Sequence, residues 1–194
     1  MLSLGHDLTA TLDVITGVRL GPGQISVAAD KLGLAGHGFG ASAAVLAASG
    51  AVRPQAVAAV FPAVTKPSAE AAAATLTVPG LVLATPDDAK SLRTDALEVA
   101  AAWPGAVLRV VDKAASGGVA EKRRIAGLLG FSGSSTRTQK TVRALMTGFL
   151  LCHLTGDKTY RDFADPEADL PRAGRPDPDA TPVTHEDRIV ALFR

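Results

Sequence analysis

The chain has 194 residues, 47% hydrophobic and 20% charged, which suits one domain, residues 1–194, with a substantial buried core and excludes a disordered polymer. Twenty Lys and Arg stand against nineteen Asp and Glu, so there is no strong field to capture nucleic acid or an anionic membrane surface. A single cysteine, Cys152, leaves no intrachain disulfide and suits a reducing compartment; with no basic-then-apolar leader, a cytoplasmic location is expected.

In chain order, residues 4–16 place Leu8, Leu12 and Ile15 at spacings of four and three, the pattern of a surface helix. Glycines at 17, 21 and 23 end it. Residues 32–35 read as a short apolar strand, 39–49 as an Ala-rich helix ended by Gly50, and 56–61 as a second buried strand closed by Pro62. A short helix is expected over 68–75, a third strand over 80–84, a helix over 89–103 and a fourth strand over 107–111. After a Gly/Ser loop at 130–135 comes a long helix, 138–154. Five prolines make residues 165–182 an irregular surface crossing, after which Thr184 and Asp187 cap a last helix carrying Ile189, Val190 and Leu192.

Apolar strands without alternation, separated by helices, indicate an α/β fold: a mostly parallel sheet of about four strands with helices on both faces. The longest apolar runs stop well short of about 18 residues, so no membrane span is expected.

Gly36, His37, Gly38, Phe39 and Gly40 follow the apolar run 31–35 and have the shape of a nucleophile elbow, a sharp turn from strand into helix. The pattern for that turn is G-x-S-x-G, and here its centre is Gly38, which has no oxygen or sulfur with which to attack a carbonyl. The three glycines do not fit a dinucleotide fingerprint, because position 41 is Ala where G-x-G-x-x-G requires glycine.

Four segments in order carry a resemblance: DKLGLAGHGFG at 30–40, VPGLVLATPDD at 78–88, residues 106–116, and residues 139–165. Together they resemble the C-terminal portion of the α/β-hydrolase superfamily, in particular cutinase-like and PET-hydrolase-like esterases and dienelactone hydrolases. The resemblance puts the nucleophile at Gly38, the triad acid at Asp88 with Asp87 as its neighbour, and the histidine at Ser116. A serine hydroxyl cannot act as the general base near neutral pH, so two of three triad positions lack the required chemistry. His37 becomes a wall of the pocket, and the amide of Phe39 the remaining oxyanion donor. The family's earlier strands have no counterpart here, so residues 32–35 would present an unpaired apolar edge, inviting a second copy or a partner chain. A truncated product, one half of a split protein and a dimer through this edge remain open.

Other residues carry less. Ser42, one turn into the helix after the elbow, is either a substitute nucleophile or a small packing residue. Cys152 and His153 sit together on a mostly apolar helix and suit a core or an interface. Asp87 and Asp88 lack the further ligands a metal pair would need, and the basic run 122–124 suits a solvated face. The expectation is a catalytically degenerate member of this fold, without metal or cofactor, whose cavity above 38, 88 and 116 takes an apolar ligand. The alternative is a weak carboxylic-ester hydrolase using an unconventional nucleophile or complemented by a second chain.

Overall fold

The computed structural model describes residues 2–50, 52–115, 119 and 135–176. Its first helix, α1 (Leu2–Gly17), is followed by a small antiparallel hairpin, β1 (Arg19–Leu20) and β2 (Ile25–Ser26). The main sheet then begins with β3 (Gly33–His37), α2 (Phe39–Ala48), β4 (Ala56–Val60), α3 (Ala69–Ala73), β5 (Gly80–Ala84), α4 (Ala96–Ala102) and β6 (Ala106–Val111). The long α5 (Thr136–Thr155) and the short β7 (Ala173–Gly174) complete it.

The strands lie in the order β3-β4-β5-β6-β7, the first four parallel and β7 antiparallel to β6. The four parallel strands are those expected from the sequence. The hairpin and β7 are additions, and β7 corrects the reading of 165–182 as wholly irregular: Val110 and Val111 pair with Gly174 and Ala173. A two-residue strand carries no periodicity of its own and forms only because β6 offers it a free flank.

The core has two layers. Val57, Ala59, Val82 and Ala84 face α2, α3 and α4, with Leu8 and Leu12 of α1 packed at the margin. Ala58, Val60, Leu81, Leu83 and Val107 face Val142, Leu145 and Phe149 of α5. Every residue of β4 and β5 is buried, so neither strand has a solvent face and neither can alternate.

Helix caps follow local chemistry. Ser135 opens α5 by accepting from the Thr138 amide at 3.3 Å, and Ser68 opens α3 by accepting from Ala71 at 3.3 Å. The helix expected over 89–103 is shorter than its pattern suggests. Asp88–Lys90 is a single 3-10 turn, and α4 starts only at Ala96. Between them Ser91 Oγ accepts from the amides of Arg93 and Thr94, both at 3.2 Å, a local bonding that competes with helix. The same stretch pairs outward: Val64 N–H donates to Arg93 O at 3.0 Å, and Asp95 N–H to Pro62 O at 3.1 Å.

Arg109 is the one charged residue of β6 and is fully buried. Its guanidinium donates to the backbone carbonyls of Pro166 (2.9 Å) and Asp165 (2.5 Å), tying the segment before β7 to the sheet. Burial pulls its pKa below the ordinary arginine value, and the like charge of Arg175 adds to this, while Asp165, Glu167 and Asp169 oppose it. Arg175 is itself paired with Glu167 at 2.8 Å and Asp169 at 3.0 Å. The final helix expected after Thr184 and the basic run 122–124 lie outside the described residues.

Candidate functional site

The elbow is built by steric exclusion. β3 delivers Gly36 and His37, Gly38 turns with φ 58° and ψ −122°, and α2 starts at Phe39. A Cβ on Gly36 would stand 2.1 Å from Gly40 O and 2.6 Å from Ala41 N, so this turn closes only around a bare backbone at 36. Gly38 N–H donates to Val60 O at 2.9 Å, pinning the turn to β4. Its carbonyl accepts from Ala41 (3.0 Å), Ser42 (3.3 Å) and Ala63 (3.3 Å). Among the described residues beyond its chain neighbours, a Cβ on Gly38 would meet nothing within 4 Å, although the positive φ disfavours any side chain there. The turn is therefore formed, and among the described residues beyond its chain neighbours no atom fills the space a side chain at 38 would take.

Gly38 and Phe39 floor a cleft of about 660 Å³ together with Phe61. Ala63 and Val64 line it beside Leu92, Arg93 and Thr94, the two segments being paired through an antiparallel bridge of Ala63 with Thr94. Phe39 is 63% exposed and Leu92 37%, apolar surface that a groove can use. Phe61 holds φ 47°, a left-handed conformation that costs an aromatic residue energy and that Pro62 would ordinarily oppose. The strand reading over 56–61 thus ends one residue early, because Phe61 turns away to form the floor. His37 meets the Phe61 ring edge-on, centroids 6.0 Å apart and planes at 78°.

The other candidate residues are spread around this floor. Ser42 is fully buried; its Oγ donates to Ala63 O at 2.6 Å and accepts from Ala63 N–H at 3.1 Å. Asp88 is 1% exposed, and its Oδ2 accepts from Leu97 N–H at 3.1 Å at the start of α4. It does not line the cleft; its carboxylate acts here on the backbone at the start of α4. Ser116 lies outside the described residues. Among the described residues no three His, Cys, Asp or Glu side chains converge on a metal position. His153, 4.6 Å from the Phe149 ring, is pulled below its ordinary pKa by burial and lies on α5, apart from this cleft. No described helix is long and apolar enough to cross a membrane.

Sequence reasoning missed Phe61, Val64, Leu92, Arg93 and Thr94 as cleft residues. The available signal was Thr94 and Asp95 ahead of the apolar run at 96, which marks a helix start there rather than at 89.

No family model and no curated sequence matches this chain. Its structure is similar to that of a ferulic acid esterase from Streptomyces cinnamoneus, with a TM-score of 0.59 and 22% identity, over 87% of this chain and 51% of that one. The chain spans about half the length of that esterase. At this identity the likeness establishes the fold, which is α/β-hydrolase-like.

Proposed function

We propose that this chain is a catalytically degenerate protein of the α/β-hydrolase-like fold, and that it works by binding an apolar or aromatic small molecule above the elbow. One observation carries the reading: Gly38 adopts the strained elbow backbone, φ 58° and ψ −122°, and bears no nucleophile. The neighbouring hydroxyl, Ser42, has both its donor and an acceptor site engaged by Ala63, which leaves it no route to a carbonyl in the cleft. The similar structure is that of a ferulic acid esterase, and an aromatic acid or its ester suits the Phe39, Phe61 and Leu92 lining in kind. The single cysteine supports a cytoplasmic location.

A fluorophosphonate probe tests the reading. Intact-mass measurement should show no labelled serine; stoichiometric labelling would overturn it. A Gly38→Ser, Ser116→His double variant that gains ester hydrolysis would support the triad alignment, and a folded variant without gain would count against it.

A second reading has its own support. β3 is terminal in the sheet order, so one flank of its backbone faces away from β4. On this reading a second copy or another chain pairs there and completes a weak ester hydrolase. Light scattering tests it: a monomer at every concentration, inert toward esters, would contradict self-association.

A further inference from the structure

Among the described residues, the cleft over Gly38 has one charged residue on its lining, Arg93, and no acid. Arg93 is exposed and makes no ion pair with any described residue. Its main chain is held in place: Arg93 N–H donates to Ser91 Oγ at 3.2 Å, and its carbonyl accepts from the adjacent Val64 N–H at 3.0 Å. Phe39, Phe61, Ala63, Val64 and Leu92 are apolar, and Thr94 adds one hydroxyl-bearing side chain. An apolar trough with one uncompensated guanidinium at its rim matches a molecule with an apolar body and one negative end.

Gly38 supplies the room. With no Cβ there and, among the described residues beyond its chain neighbours, no atom within 4 Å of where one would stand, the floor can admit a ligand group in place of a side chain. The ten-residue α2 begins at Phe39, and the partial positive charge at that end has the same sign as Arg93. The two therefore reinforce each other. A neutral ester would forgo the charge attraction that its parent acid gains.

We propose that the cleft is a site for monocarboxylates with an aryl or alkyl body, selecting the free acid anion over its ester, with Arg93 as the residue that sets this preference. This deepens the binding reading above and rests on it. The elbow then holds what an esterase would release, and no bond is made or broken.

The probes are 3-phenylpropanoate and its methyl ester, followed at pH 7 by calorimetry and by amide shifts of Gly38, Phe39 and Thr94. The acid should bind about fivefold tighter than the ester, the size expected of one partly exposed charge contact. Arg93→Gln should abolish that preference and Arg93→Lys retain most of it. About 1 M salt, where the screening length is about 3 Å, should shrink it in the unmodified protein. If the ester binds as tightly as the acid, or Arg93→Gln leaves the preference intact, the carboxylate inference is overturned while the apolar cleft survives. If neither probe shifts these amides, both the inference and the binding reading fall. Arg93 is exposed, so its variants should fold; should one not, the acid–ester comparison and its salt dependence decide on the unmodified chain.

Discussion

Ser42 and Ala63 are joined by a reciprocal pair of hydrogen bonds, Oγ to carbonyl at 2.6 Å and amide to Oγ at 3.1 Å, in a fully buried position. The serine that sequence alone leaves as a possible nucleophile is thus a strut between α2 and the cleft wall.

Ser42→Ala should cost about 1–3 kcal/mol, because it takes the hydroxyl donor from the buried Ala63 carbonyl and leaves the Ala63 amide only its longer bond to Gly38 O, while changing little volume. Urea unfolding measures this. Ligand affinity in the cleft should stay within about twofold, since Ser42 does not line it; a large affinity loss without destabilisation would contradict the strut role.

Gly36 and Gly38 should respond differently to alanine. At 38 the cost is conformational only, about 1–2 kcal/mol for a left-handed backbone. At 36 the new Cβ would overlap the carbonyl of Gly40, 2.1 Å away, so the loss should be larger, about 3 kcal/mol or beyond. Equal costs in thermal unfolding would contradict this geometry.

This pair also shows why the elbow was legible from sequence. Close passage of strand and helix admits only glycine at 36, so the fold's tightest constraint is written in residue types. The wall at 91–95 was less legible: Thr94 and Asp95 mark a helix start, but the pairing with 62–64 that holds the segment extended is a long-range contact with no local pattern. Asp88 was legible as a carboxylate of note. That it holds the Leu97 amide follows from where α4 begins, which the charge pattern does not encode.

Arg109→Met should cost about 3 kcal/mol, since the carbonyls of Asp165 and Pro166 lose their donors together with packed side-chain volume. Hydrogen exchange should accelerate first at Ala173 and its neighbours, whose pairing with β6 this contact supports. Uniform acceleration across the sheet would contradict a local role.

His153 is held below its ordinary pKa of 6.5 by burial. The unfolded chain therefore binds a proton more readily there, so this contribution to stability is full above pH 6.5 and is lost as pH falls toward the folded-state value. Its place near the C-terminal end of α5 would by itself favour the charged form; burial outweighs that. The difference in melting temperature between the unmodified chain and His153→Leu should grow more unfavourable to the former on acidification from pH 7 to 5. A pH-independent difference would remove the assignment.

The order of the strands has a kinetic consequence. Gly33 pairs with Ala56, Val57 with Gly80 and Gly80 with Ala106, so each parallel pairing closes a loop of a little over twenty residues. Val110 with Gly174 closes one of more than sixty. By loop entropy alone the longer closure costs about 1 kcal/mol more, a modest excess; but two residue pairs repay it, against four or five for each neighbour. The parallel strands can therefore assemble in the order they are synthesised, and the last edge, with the guanidinium beneath it, is added at the end and is the first to detach.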